Sequence, residues 1–352
     1  MRKPAEAALP TGRHFFTGLI SLVLWLGSHL SASAEVTFRS AGGVTWNVHD
    51  FADQRGTRQK YFVSGSGKSG NLILLLQGSG CVPTFARMRD SNDVATSRQD
   101  SFARALHGQA DLMIVEKPGV HASDPVGAFP GQSEHCGKDF RTRYALDDWG
   151  QVVEHALADY VRHAAVKPRM KALFGISEGT TTAAWMIKRG FKGPVGSMGG
   201  AGCDGDVVGM MAQAVQRQRE GLPGTSIKDT LDLIEQIRLH PDSTDKFAWG
   251  QTYRRWSTFG DHCSTGQFER HRRLLFLAYG TNDPGADVIS IEGLARSRRR
   301  ASLPVEVVRI EGGNHGLSFG NRDFVPDVFS RFVAQILSRH EAGQRSQKRA
   351  RR

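Results

Sequence analysis

The chain has 352 residues, 39% of them hydrophobic and 23% charged, with 19 Phe and 6 Trp. That is enough for one large α/β unit or two small domains, and too apolar and aromatic for a disordered or collagen-like chain. The formal charge of +11 invites a nucleic-acid reading, yet residues 1–34 carry a surplus of two basic residues and residues 339–352 a surplus of five, which leaves +4 for the body and no specific nucleic-acid signal.

Residues 1–34 read as an export signal, with Arg2, Lys3 and Arg13 as the positive start, residues 15–30 as the apolar run and Ala32-Ser33-Ala34 as a small-residue cleavage site. A periplasmic or secreted protein is expected. The alternative is a membrane anchor formed by an uncleaved signal, because sixteen mostly apolar residues approach a bilayer span. Residues 44–48 and 60–64 alternate like half-buried strands, and the Gly/Ser-rich residues 65–70 turn the chain, hairpin-fashion, into the apolar run 72–76. The turn Gly65-Ser66-Gly67-Lys68-Ser69-Gly70 resembles a phosphate loop only superficially: Phe62 stands where the first glycine belongs, and a strand follows instead of a helix.

Further buried strands are expected at 112–115, 172–174, 195–198, 274–278 and 305–310, eight in all. Helices are expected at 146–161, where Trp149, Val152, Val153, Ala156, Leu157 and Tyr160 recur at helical spacing, and at 180–189. Near-continuous apolar strands alternating with amphipathic helices specify an α/β architecture with a mostly parallel sheet covered on both faces. Residues 203–270 break the rhythm as an insertion between core parts 35–202 and 271–338. It holds a helical stretch at 230–239 and the aromatics Phe247, Trp249, Tyr253, Trp256 and Phe259; a long excursion between core strands serves as a cap or binding surface. After a last helix at 325–338 comes a basic, Gln-rich tail, 339–352, read as disordered and suited to weak contact with an anionic surface.

Gly175-Ile176-Ser177-Glu178-Gly179 fits GxSxG, and it follows an apolar strand and opens a helix rich in small residues. A sharp strand-to-helix turn exposes the serine, and the small residues two before and two after it avoid clashes. Gly316-Leu317-Ser318-Phe319-Gly320 matches the same pattern but lacks that context and is discarded. A serine hydroxyl needs a base and an orienting acid. Asp283 follows the strand at 274–278, with Asp287 and Asp204 as alternatives, and His315 follows the strand at 305–310. Active sites of open parallel sheets sit at these carboxyl ends. The oxyanion donors are expected to be the backbone amides of Glu178, at the start of a helix, and of Ser79, in the loop Gln77-Gly78-Ser79-Gly80. Cys81, Cys136, Cys203 and Cys263 are even in number and lack CxxC spacing, which favours disulfides in an exported chain over a zinc site; three pairings are open.

On the elbow at 175–179, the acid loop at 280–285, the histidine loop at 312–316 and the loop at 77–80, residues 44–338 resemble the α/β-hydrolase superfamily in its serine-nucleophile branch. The resemblance implies an eight-stranded sheet with a helical cap insertion, a histidine that shuttles the proton and an acid that stabilises the imidazolium. It also implies the pairings Cys81–Cys136 and Cys203–Cys263. Gln77 replaces the family's common His-Gly, which argues against hormone-sensitive-type esterases and lipases. The expected protein is an exported serine hydrolase acting on carboxylic esters, with the aromatic insertion lining an apolar site and no metal or organic cofactor. A peptidase or amidase in which Glu178 holds a substrate amine is the alternative among enzymes. A non-catalytic binding protein using the insertion or the tail is the alternative outside them. The expected partner is a small ester or peptide, and the oligomeric state is not specified.

Overall fold

Strands with apolar residues at successive positions can only be stable where both faces of a sheet are covered, and the computed structural model resolves the chain that way. It describes residues 36–85, 99–121, 132–202, 211, 214–215, 217–221, 226–260, 262–283 and 288–350. The expected export signal or anchor therefore lies outside the described residues.

In chain order the strands of the main sheet are β1 (Val36–Arg39), β2 (Thr45–Ala52), β3 (Arg58–Ser64), β4 (Asn71–Leu76), β5 (Asp111–Val115), β6 (Met170–Ile176) and β7 (Val195–Met198). The short β8 (Phe247–Ala248) and β9 (Gln251–Thr252) pair with each other. β10 (Leu275–Gly280) and β11 (Val305–Ile310) return to the main sheet, and β12 (Ser318–Phe319) and β13 (Arg322–Asp323) form a small ribbon. The helices are α1 (Gln99–Ala105), α2 (Lys138–Arg143), α3 (Leu146–His163), α4 (Glu178–Lys188), α5 (Ile227–Leu239), α6 (Tyr253–Phe259), α7 (Thr265–Arg270), α8 (Val288–Arg300) and α9 (Val325–Ala350).

Among the described residues nine strands form the main sheet, in the order β1-β2-β3-β5-β4-β6-β7-β10-β11. The pairings from β5 through β11 are parallel, and β1, β2 and β3 join antiparallel at one edge. Two expectations are corrected. The ninth strand is β1, a four-residue, largely exposed edge strand whose apolar signal is too short to stand out. β3 and β4 are not neighbours, because β5 inserts between them.

Successive side chains of β4 point to opposite faces. Leu72, Leu74 and Leu76 enter a layer with Trp149, Val152 and Val153 of α3, Ala183 and Ala184 of α4, and Ile291 and Leu294 of α8. Ile73 and Leu75 enter the other layer with Phe102 of α1 and Phe329 and Phe332 of α9. There Phe329 lies edge-on to Phe102 and Phe174, with ring centroids 4.8 Å and 5.0 Å apart. On the other face a Cβ at Gly150 would stand 2.5 Å from the Trp185 ring, so α3 and α4 approach as closely as they do only because position 150 has no side chain.

The tail reading is also corrected: α9 continues to Ala350 rather than ending near 338. Its last turns are built of good helix formers, and the Glu341–Arg345 pair at i,i+4, 3.0 Å apart, supports them although little is buried there. No helix among the described residues is long and apolar enough to cross a membrane.

Cys81 and Cys136 form a disulfide closing a 55-residue separation. Cys263 is disulfide-bonded as well, and the partner expected for it, Cys203, lies outside the described residues. Cross-linking chain points that far apart removes unfolded-state entropy worth about 4 kcal/mol in the chain-entropy model. The double substitution Cys81→Ser/Cys136→Ser is expected to lower unfolding stability by about 2–4 kcal/mol. The measurement is denaturant unfolding of both forms without reductant; equal midpoints would refute it.

Candidate active site

Ser177 sits between β6 and α4 with φ 51° and ψ −121°, a left-handed backbone conformation that a non-glycine residue holds only under constraint. The constraint is local and steric. The Ser177 N–H donates to Met198 O at 2.7 Å, and its carbonyl accepts from the Thr180 N–H at 2.8 Å. A Cβ on Gly179 would lie 2.2 Å from Leu76 O, and one on Gly175 would lie 2.7 Å from Gly179 O. The turn therefore tolerates no side chain on either side, and the serine is presented at the carboxyl edge of the sheet.

Asp283 follows β10 and His315 follows β11. Their loops are sewn together: Asn282 N–H donates to Gly313 O at 2.9 Å, Gly312 N–H to Thr281 Oγ1 at 2.8 Å, and the Asn314 carboxamide oxygen accepts from the Gly316 and Ser318 amides at 3.0 Å each. A Cβ on Gly280 would stand 2.1 Å from Gly313 O, so only glycine permits this contact. The result is a proton-passing line. His315 Nδ1 donates to the Asp283 carboxylate, 2.8 Å from Oδ2 and 3.0 Å from Oδ1, which leaves Nε2 as the acceptor facing the Ser177 hydroxyl at 2.9 Å. The Asp283 side chain is fully buried whereas that of His315 is 42% exposed, so the acid is fixed and the imidazole faces the solvent side. Asp287 and Asp204, the other candidate acids, lie outside the described residues. The discarded match around Ser318 falls in the β12–β13 ribbon.

The loop carrying Ser79 passes beside the elbow: a Cβ on Gly78 would lie 3.4 Å from both Ile176 O and Ser177 Cβ. Lys117, buried at the end of β5, donates from Nζ to Gly80 O at 2.7 Å and to Gly78 O. In a trans peptide the C=O and the next N–H point in opposite directions. Holding the Gly78 carbonyl toward Lys117 therefore turns the Ser79 amide away from it. The Glu178 amide is the first of α4 and so has no partner within the helix.

The side chain of Glu178 is not available to a substrate amine, contrary to the amidase alternative. It is buried, and it accepts from Arg255 Nε at 2.8 Å, from Arg255 Nη2 and from the Tyr144 hydroxyl. Burial pushes the Glu178 carboxyl up, but Arg255, Lys117 and these hydrogen bonds outweigh it and hold the group below its usual range. Tyr144 in turn is pushed well above the usual phenol value by burial and by the Glu178 charge. Arg255 belongs to α6, within the insertion. Its guanidinium lies 4.1 Å from the Trp256 ring centroid and 4.8 Å from that of Phe259, while Trp256 meets Trp249 edge-on. These insertion aromatics thus pack around the arginine, and Phe259 joins the main core.

A second buried carboxylate, Glu116, accepts from the Thr84 amide and hydroxyl and the Lys117 amide. Burial pushes its carboxyl up to about 7 despite those donors, and pushes the Lys117 ammonium down to about 8 against the pull of Glu178 and Glu116. Sequence spacing gives no sign of the roles of Tyr144 and Arg255, and Glu116 and Lys117, adjacent in the chain, come from a third segment. A Glu-Lys dipeptide directly after an apolar strand was the one local hint.

No family model and no curated protein matches this chain. Among solved structures it is similar to a puromycin-hydrolyzing peptidase of Mycobacterium tuberculosis, at 14% identity over 83% of this chain and 38% of that one, with a TM-score of 0.52. It is also similar to the esterase domain of a Rhodothermus marinus protein, at 14% identity over 82% of this chain and 97% of that one, TM-score 0.50. A third likeness is to a Pyrococcus horikoshii acylaminoacyl peptidase, at 12% identity over 84% of this chain and 41% of that one, TM-score 0.50. The chain spans less than half the length of the two peptidases. Its fold is the α/β-hydrolase fold.

Two outcomes follow from the buried charges. Arg255→Ala leaves the buried Glu178 carboxylate without its paired guanidinium and is expected to cost about 3–5 kcal/mol; chemical denaturation showing under 1 kcal/mol would contradict the assigned role. Glu116, with its folded-state value raised, binds a proton that the unfolded chain has already released between pH 4.5 and about 7, so folding stability falls as pH rises through that window. Glu116→Gln should flatten this slope relative to the parent in unfolding midpoints recorded from pH 4.5 to 7.5.

Proposed function

We propose that the chain is an exported serine hydrolase that cleaves carboxylic esters through an acyl-enzyme. The observation that carries the reading is the unbroken line from Ser177 Oγ through the His315 ring to the Asp283 carboxylate. In this reading the Ser177 hydroxyl attacks the ester carbonyl while His315 Nε2 takes its proton. Asp283, buried against the ring, stabilises the imidazolium without taking the proton. The amides of Glu178 and Ser79 receive the oxyanion, aided by the positive end of α4. His315 then returns the proton to the departing alkoxide, the alcohol leaves, and water repeats the sequence on the acyl-enzyme to release the acid.

Three features support the finer points. The fully buried acid and half-exposed histidine fit a base that must meet both substrate and water. The occupied Glu178 side chain removes the obvious anchor for a substrate amine, which favours esters over peptides. The similar esterase domain is matched over 97% of its length, whereas the similar peptidases carry most of their length beyond the matched part. Export rests on the sequence of residues 1–34 and agrees with the Cys81–Cys136 disulfide, a bond that persists in oxidising compartments.

A fluorophosphonate probe should label the protein at Ser177, and Ser177→Ala should lose both the label and about 10⁴-fold or more of kcat/KM on p-nitrophenyl esters. Esters should be turned over faster than aminoacyl anilides. A parent protein that takes no label would defeat the enzyme reading, and anilide rates equal to ester rates would defeat the ester preference alone.

A further inference from the structure

The carboxyl ends of the parallel strands hold the site described above; their amino ends are equally unusual. A cleft of about 650 Å³ opens there between the strand starts and α9. Arg169 and Lys171 flank the first residue of β6, Lys192 stands shortly before β7, Arg272 and Arg273 shortly before β10, and Arg339 faces them from α9. Among the described residues no carboxylate pairs with any of these six, and none lines the cleft. The six cations are exposed at the walls, while Met170, Leu274 and Ile336 form a buried apolar floor.

This is a constructed feature rather than a scatter of surface lysines and arginines. Arg298 of α8 is fully buried and spends its guanidinium on backbone carbonyls alone: Phe268 O, His271 O at 2.6 Å, Arg273 O at 2.8 Å and Pro304 O at 2.8 Å. Burial lowers its value to about 10, so it stays charged at neutral pH and adds a seventh positive charge behind the cleft. His271, also buried, meets Gly193 O through Nε2 at 2.9 Å and so ties the segment carrying Lys192 to that carrying Arg272. Burial and the neighbouring arginines hold this imidazole below its usual value, in the neutral form that donates one proton to that carbonyl. Two buried side chains thus fix the backbone segments that carry Lys192, Arg272 and Arg273.

We propose that the cleft binds a compact ligand bearing two or more phosphate groups. Like charges crowded over an apolar floor lower the free energy of any anion that enters, and the charge density required exceeds what a single carboxylate supplies. Arginine forks and lysine point charges together match phosphate oxygens, and the volume admits a ligand of nucleotide size. The seven residues of β6 put this cleft about 20 Å from Ser177, so it is separate from the hydrolytic centre. A free polyphosphate and the phosphates of a lipid headgroup share the chemistry.

The test uses the full chain with sodium tripolyphosphate, titrated calorimetrically at two salt concentrations, beside flotation with phosphatidylglycerol and phosphatidylcholine vesicles. Tripolyphosphate should bind with a Kd below about 1 mM, weaken as salt rises, and exceed inorganic phosphate by about tenfold or more. The double substitution Lys192→Gln/Arg272→Gln, both exposed, should weaken binding about tenfold or more at an unchanged unfolding midpoint. Truncation after residue 344 should leave binding in place. Vesicle binding without tripolyphosphate binding overturns the proposal, because a phosphatidylglycerol headgroup carries a single phosphate. Absence of both, unchanged affinity in the double variant, or loss of all binding on truncation overturns the proposal.

Discussion

The carboxylate of Glu178 is the constraint around which the site is assembled. It stands one residue after Ser177, its amide opens α4 toward the candidate oxyanion position, and the same backbone geometry sends its side chain inward. An ion of that size cannot be buried without compensation worth several kcal/mol. The compensation comes from three distant places: Arg255 in the insertion, Tyr144 after α2, and Lys117 at the end of β5. Docking the insertion is therefore not optional decoration. Until Arg255 arrives, the helix that follows the serine holds a buried charge compensated only by Lys117 and Tyr144, so the insertion and the elbow stabilise each other.

Lys117 links that charge to the loop beside the serine. Its ammonium is held in place partly by Glu178 and Glu116, and it uses two of its three donors on Gly78 and Gly80 carbonyls. The loop is thus fixed from behind by a buried cation and at its far end by the Cys81–Cys136 bond. Such fixing has a clear physical use. An amide contributes to oxyanion stabilisation only when it need not reorganise as charge develops, and a glycine-rich loop left to itself would reorganise readily.

The parts of this arrangement that were legible in the sequence are those written within a few consecutive residues. Ser177 announces itself because a strained turn excludes side chains at 175 and 179, and Asp283 and His315 because each directly follows an apolar strand. The fold class follows from the same strands. Lys117, Tyr144 and Arg255 escaped because their roles depend on meeting Glu178 across 34 to 77 positions of chain, and an isolated Lys, Tyr or Arg gives no local cue. At Glu178 the position of the amide is set by the local turn, whereas the fate of the side chain, expected in the amidase alternative to hold a substrate amine, is decided by tertiary structure. The aromatic residues of the insertion were legible as apolar but not as the packing around an arginine. At the end of the chain, composition argued for disorder, while helix propensity and an i,i+4 pair carried α9 onward to Ala350.

A parallel sheet has two chemically different ends, and this chain uses its helices to reinforce the difference. At the carboxyl ends of β6, β10 and β11 the loops are glycine-rich, because backbones must approach within contact distance: 2.1 Å from Gly313 O to a Cβ at 280, and 2.2 Å from Leu76 O to one at 179. The carboxylates of Glu178 and Asp283 there are buried and hydrogen-bonded to Arg255, Tyr144 and His315. At the amino ends the loops carry arginine and lysine, and the buried groups that organise them, Arg298 and His271, spend their donors on carbonyls and leave the wall cations unneutralised. Interior carbonyls could have been satisfied by neutral donors at lower desolvation cost. A guanidinium that caps four of them raises the positive potential at that end, which an anion in the cleft would offset.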